Sequence, residues 1–240
     1  MAKITIKDIH KKGLHARFAK PWGKCNSGVL LLPSAFGFGP GVDDQLMHLA
    51  EAGLAALAWN PYSAYDENLP REERSRISET VLMDADCLRE QSSWIDTMIN
   101  KLDLPNIGLL GFCMGGRMAL LLAAEDTRVK AVSAFYPTMR DPRPANAIDL
   151  PPMADKIACP VQVHYPGKDH LTSHASLQRL RAALDARQGT TPAAVIHYPQ
   201  ATHGFLGKTK EASPADYESG LTSWAVTTAF FGAILIQAGQ

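Results

Sequence analysis

NIGLLGFCMGGR, residues Asn106–Arg117, decides the fold. Asn106–Phe112 is an apolar run of buried-strand length, and Met114–Glu125 carries apolar residues at helical spacing. Between them Gly111-Phe112-Cys113-Met114-Gly115 forms the pattern G-x-C-x-G, a turn that leaves a strand and enters a helix with no intervening loop. Such a turn strains its central residue and needs glycines where a Cβ would collide with neighbouring backbone. It lifts the central side chain above the sheet edge, and the helix N-terminus behind it favours negative charge on a cysteine sulfur. A buried structural cysteine in a glycine-rich turn fits the same five letters, because free cysteine packs as a small hydrophobe. The place between strand and helix points instead to a nucleophile elbow with cysteine at its tip.

Outward from this point, strand-length apolar runs alternate with helical patterns. Lys3–Lys7 and His15–Lys20 form an expected edge hairpin turning at Lys11–Gly13. Strands are expected at Gly28–Ser34, Leu54–Asn60, Val129–Tyr136, Pro160–Pro166 and Ala193–Pro199. Helices are expected at Asp43–Ala52, Ser78–Lys101, His174–Arg187 and from Asp216 onward, with Pro61–Arg76 a polar loop and Pro137–Pro152 a proline-rich excursion. This alternation predicts an α/β fold, a mostly parallel central sheet with helices on both faces, as one domain over residues 1–240. In such a sheet, ligands lie beyond the carboxyl ends of the strands.

Composition narrows the class. Lys+Arg and Asp+Glu balance at 24 each, which leaves no excess of positive charge for nucleic acid or an anionic membrane. Cys25, Cys87, Cys113 and Cys159 are far apart, without a C-x-x-C pair, so neither a disulfide scaffold nor a zinc site is expected. The first residues lack a signal-peptide apolar core, and a reducing cytoplasm is the expected location. Leu221–Gln240 carries no charge, but its longest unbroken apolar stretch, Ala229–Ile236, falls short of a bilayer span. A buried terminal helix is expected there. No cofactor and no metal is called for.

An elbow needs an orienting acid and then a base, in that chain order. Asp169 follows the strand Pro160–Pro166, and His203 follows the strand Ala193–Pro199, both at the edge where Cys113 lies. Of the remaining histidines only His170 competes, and it stands on the acid's own loop. Cys113, Asp169 and His203 are thus the expected triad.

These motifs, together with GVLLLPSAFGFGPGVDDQLMHLAEAGLAALAWNPY, AVSAFYP, CPVQVHYPGKD, YPQATHGF and WAVTTAFF, resemble the dienelactone hydrolase family of the α/β-hydrolase superfamily over nearly the whole length. The resemblance implies hydrolysis of small esters and lactones, with Cys113 as nucleophile, His203 as base and Asp169 as orienter. It implies an oxyanion hole from the backbone N–H groups of Ala35 and Met114. Ser34, Phe36, Arg74, Arg76, Tyr136 and Phe205 are expected to line the substrate pocket. One departure stands out. Family members usually carry an acid where this chain has Ser34, so either the thiol is activated by His203 alone or the substrate differs from the family type. Family members also hold a substrate carboxylate with arginines, one of them just past the histidine. Here Arg71, Arg74 and Arg76 stand in the polar loop, and Gly204–Lys208 contains no arginine. Weak selection for anionic substrates is expected. Phosphotriester hydrolysis on the same triad, a non-catalytic ligand-binding role and a redox-sensing thiol are the competing readings.

Overall fold

The computed structural model describes residues 4–39, 41–66 and 68–236. Wholly apolar runs such as Leu30–Leu32 and Ala55–Trp59 have no face to show to water, and they become central strands covered on both sides. The strands are β1 (Ile6–Lys11), β2 (Leu14–Ala19), β3 (Ser27–Leu32), β4 (Ala55–Trp59), β5 (Asn106–Phe112), β6 (Val129–Phe135), β7 (Val161–Lys168) and β8 (Ala193–Thr202). They form one eight-stranded sheet in the order β1-β2-β4-β3-β5-β6-β7-β8. β1, β2 and β4 pair antiparallel, and every pairing from β4 through β8 is parallel.

The helices are α1 (Val42–Glu51), α2 (Arg71–Thr80), α3 (Asp84–Leu102), α4 (Met114–Glu125), α5 (Pro151–Ala154), α6 (His174–Asp185) and α7 (Pro214–Phe231), which runs on into a π-helical turn at Gly232–Ile236. α1 and α7 bury Leu46, Leu49, Phe231 and Leu235 on one face of the sheet. On the other face, α3, α4 and α6 bury Trp94, Met118 and Leu180. Successive strands diverge on either side of β3, which pairs with β4 on one flank and β5 on the other. That reversal opens a crevice beyond Leu32 and Gly111, which are in register.

Four sequence expectations need correction. The first strand lies three residues later than Lys3–Lys7, because Lys12 and Gly13 both take positive φ and set a tight hairpin turn immediately after Lys11. The polar loop ends at Pro70, and Arg71–Thr80 is helical. The expected helix Ser78–Lys101 is therefore two helices, broken at Val81–Met83, where the Asn146 amide donates to the carbonyls of Ser78 and Leu82 and replaces bonds a continuous helix would make. The terminal helix is buried along one side only. Thr227, Phe231 and Leu235 face the sheet, whereas Leu221 and Val226 are exposed. Pro214–Ile236 has the length and hydropathy of a membrane span, and residues 237–240 of the expected segment lie outside the described residues.

A buried ion pair ties the strap 137–150 to this scaffold. Asp84, at the start of α3, accepts from Arg117 of α4 (Nη2 to Oδ1, 2.9 Å) and from the Ile148 N–H (2.7 Å). Its own N–H donates to the Asn146 carbonyl. Asp84→Ala leaves the Arg117 guanidinium buried without its partner, and should cost about 3–5 kcal/mol. Urea unfolding followed by circular dichroism measures this; a loss below about 1 kcal/mol would show that the pair does not hold the strap.

Candidate active site

Register brings the three expected residues together. Cys113 follows β5 directly, with φ 57° and ψ −115°, a conformation that side chains rarely adopt and that clusters at functional sites. Its N–H donates to the Phe135 carbonyl at the end of β6. A Cβ on Gly111 would run into the Gly115 carbonyl, and one on Gly115 into the Leu32 carbonyl, so the elbow tolerates no side chain at either place. Lys168 of β7 and Thr202 of β8 are paired, which sets Asp169 beside His203.

His203 Nδ1 lies 2.9 and 3.0 Å from the two Asp169 carboxylate oxygens. The Asp169 side chain is fully buried and that of His203 is 8% exposed. The N–H groups of Leu171 and Thr172 also donate to Asp169 Oδ1, fixing the carboxylate. Facing a carboxylate, Nδ1 carries the proton, which leaves Nε2 as the basic nitrogen. Nε2 is buried and has no hydrogen-bond partner among the described residues. Asp169 is thus the carboxylate bonded to His203; the His170 ring stands 5.6 Å from that of His203 and makes no bond to the acid among the described residues.

The electrostatics favour an ion pair. Burial pushes the Cys113 thiol up, but His203, the Thr138 hydroxyl and the Met114 N–H together bring it below its ordinary value. Burial pushes His203 down, yet Asp169 and Cys113 outweigh it and raise the imidazole to about 9. By contrast, burial drives Cys87 up to about 12 and Cys159 up to about 11, so both are poor nucleophiles. The Cys113 sulfur itself lies 3.0 Å from Thr138 Oγ1.

The Met114 N–H opens α4 beside the sulfur, and the Ala35 N–H makes no hydrogen bond among the described residues. The turn bearing Ala35 is braced by Tyr62, whose hydroxyl reaches the carbonyls of Ala35 and Arg74 in turn. Above the elbow opens a cavity of about 810 Å³, whose wall includes Ser34, Phe36, Arg74, Tyr136, Thr138 and Lys208. The Tyr136 ring stands 5.0 Å from that of His203. Arg74 Nη1 donates to the Phe36 carbonyl, and the Arg71 guanidinium lies 3.8 Å from the centre of the Phe36 ring.

Two expected pocket residues are elsewhere. Arg76 is exposed and pairs with Glu73, because α2 turns it away from the face that carries Arg71 and Arg74. Phe205 is fully buried beneath Tyr136, at 5.3 Å between rings, and supports the wall without forming it. Sequence reading missed Tyr62, Thr138 and Lys208. Only Lys208, a cation five residues past His203, carried a signal that could have been weighed. Among the described residues no cluster of His, Cys, Asp or Glu is arranged to hold a metal ion.

The family model of the dienelactone hydrolases matches residues 14–235. The chain belongs to the dienelactone hydrolase family. A carboxymethylenebutenolidase of Rhodococcus opacus is 33% identical over 131 residues, which cover 54% of this chain and 50% of that protein. The chain thus spans about half the length of that relative. A relative from Salmonella typhi is 27% identical over 243 residues, covering 93% of this chain and 86% of that protein. Among solved structures, a dienelactone hydrolase-like promiscuous phosphotriesterase from metagenomic libraries superposes with a TM-score of 0.76 at 19% identity, covering 97% of this chain and 99% of that one. At that identity the likeness is one of fold. This family member has the α/β-hydrolase architecture, with the elbow cysteine at the crevice where the strand order reverses.

Proposed function

We propose that this protein hydrolyses small carboxylic esters or lactones through a thioester on Cys113. The observation that carries the reading is His203, bonded through Nδ1 to a buried carboxylate and leaving Nε2 unpartnered beside the elbow thiol. The thiol proton passes to Nε2, and the thiolate attacks the carbonyl carbon. The N–H groups of Ala35 and Met114 receive the developing oxyanion, each such donor contributing roughly 2.7–4 kcal/mol to the transition state. The tetrahedral intermediate collapses as the C–O bond breaks, and the imidazolium gives its proton to the departing alkoxide. Neutral His203 then takes a proton from water, whose oxygen attacks the thioester, and the imidazolium returns the proton to the Cys113 sulfur.

Turnover of p-nitrophenyl acetate and of dienelactone tests the reading, and a protein that binds both without hydrolysing either is a ligand-binding family member. The cavity's size supports a second reading, phosphotriester hydrolysis at a tetrahedral phosphorus, and an aryl phosphotriester belongs in the same panel.

Substrate charge gives a sharper expectation. Ser34 supplies no negative charge; of the cations lining the cavity, Arg71 and Lys208 are exposed, and Arg74 already donates to the Phe36 carbonyl. Exposed cations are screened by salt and discriminate weakly. Dienelactone should therefore be favoured over a neutral aryl ester by less than roughly a hundredfold in kcat/KM, about 2.7 kcal/mol at 1.36 per decade. A larger preference would mean that Arg71, Arg74 and Lys208 act as a carboxylate clamp.

A further inference from the structure

Thr138 sits in the proline-rich excursion that sequence reading left without a role, yet it touches Cys113 twice. Its N–H donates to the Cys113 carbonyl (3.1 Å), and its hydroxyl oxygen lies 3.0 Å from the sulfur. Among the described residues that sulfur is the only hydrogen-bond partner of the hydroxyl. We propose that the Thr138 hydroxyl is a dedicated donor to the Cys113 thiolate, supplying stabilisation that His203 does not provide alone. The inference deepens the hydrolase reading, and its bearing on turnover rests on that reading.

Geometry supports a built contact. Thr138 stands three residues beyond Phe135, which pairs with Phe112 at the end of β5, so the strap leaves the sheet directly over the elbow. Pro137 before it restricts the backbone. Thr172 clamps both neighbours: its hydroxyl donates to the Pro137 carbonyl (2.8 Å) and accepts from the Met139 N–H (2.9 Å). The Thr172 N–H in turn donates to Asp169. The acid loop and the thiol's partner are therefore held by one residue, and the hydroxyl is set in place before any substrate arrives.

Chemistry fixes the direction of the bond. A thiolate only accepts, so once the proton has moved to Nε2 the hydroxyl must donate. A hydrogen bond to a charged acceptor is worth more than one to a neutral group, so it favours the ionised sulfur over the thiol. The other groups facing the sulfur are His203 after β8, the Met114 N–H of α4 and Tyr136 after β6, whose own phenol is kept neutral by burial. Arg117, one turn along α4, is already committed to Asp84. Ser34 at the oxyanion turn is neutral, and among the described residues no carboxylate bonds the sulfur. The thiolate on this proposal has a pair of donors, His203 and Thr138, one ionisable and one not.

The test is the pH dependence of iodoacetamide alkylation, read by mass spectrometry on the peptide that contains Cys113, which requires no turnover. In Thr138→Val the inflection should rise by about one pH unit, the effect of losing one hydrogen bond to a charged group. Below the inflection alkylation should slow by about threefold, since tenfold less thiolate is partly offset by a more nucleophilic sulfur. Thr138→Ser should return both to wild type. Thr138→Ala carries the same expectation as Thr138→Val and serves if valine packs badly. An unchanged inflection in a folded Val or Ala variant, or failure of serine to restore it, overturns the proposal. If the inflection moves as expected while Cys113→Ala still hydrolyses esters, the hydrolase reading fails and the hydroxyl's role stands.

Discussion

Cys113→Ala should reduce ester hydrolysis to background, a fall in kcat on the order of 10⁶, as expected when the nucleophile of a triad is removed. No other sulfur can take its place. Cys87 and Cys159 are buried with raised pKa values, and the exposed side of Cys25 lies near the Gly53 carbonyl, remote from the elbow. The substitution also relieves no packing, because the elbow is held by backbone contacts at Gly111 and Gly115 that alanine leaves intact. Melting temperature should therefore stay close to that of the wild type while activity disappears. Cys113→Ser should fold equally well and turn over slowly, because a hydroxyl is far harder to ionise than a thiol. Retention of wild-type kcat by the alanine variant would show that the reacting group is elsewhere.

Asp169→Asn should cost about 10⁴ in kcat with little change in KM. The amide can present its NH₂ to Nδ1, which then becomes the acceptor and moves the proton to Nε2, the nitrogen that must be free. The same change has a pH signature. His203 is lifted to about 9 against the effect of burial, and the hydrogen bond to Asp169 is the largest of the raising influences. If His203 protonates the leaving group as proposed, the imidazolium is present below about 9 and is lost as pH rises through that value, so kcat/KM should decline on the alkaline side there. In Asp169→Asn burial is less opposed, the imidazolium is lost earlier, and the decline should begin at lower pH. A full pH–rate profile with a short alkyl ester, whose alkoxide must be protonated as it leaves, reads both effects. An alkaline limb that stays in place would mean that Asp169 does not set the state of His203.

What was legible in the sequence was whatever local pattern and parallel-sheet geometry dictate. Asn106–Arg117 specified a strand, a strained turn and a helix, and strands expected to end at Pro166 and Pro199 put Asp169 and His203 at one sheet edge; in the structure they run on to Lys168 and Thr202, whose pairing sets the two residues side by side. Contacts made over long sequence separations were not legible. Asn146 breaks the helical run after Thr80 from more than sixty residues away, and no propensity at Val81–Met83 announces it. Arg71–Arg76 has the composition of a loop, which carries no helical phase to tell Arg76 from Arg74, whereas the helix begins at Arg71. Phe205 follows His203 by two residues and was grouped with it, but the chain turns at Gly204, with φ 73°, and sends the ring into the core. Thr138 carried no motif at all. Its importance comes from the clamp of Thr172 on either side, visible only once the strap lies over the elbow.

The central claim is a covalent thioester on Cys113, and trapping it is the most direct measurement. The protein is mixed with excess p-nitrophenyl acetate, quenched in acid within the first turnover, digested and read by mass spectrometry. The expected result is one acetyl group on the peptide containing Cys113, removed by hydroxylamine at neutral pH as a thioester is, and absent when Cys113→Ala is treated in the same way. Turnover in the wild type with no acylated Cys113 at any quench time, or an acetyl group carried by another residue at the rate of turnover, would refute the mechanism.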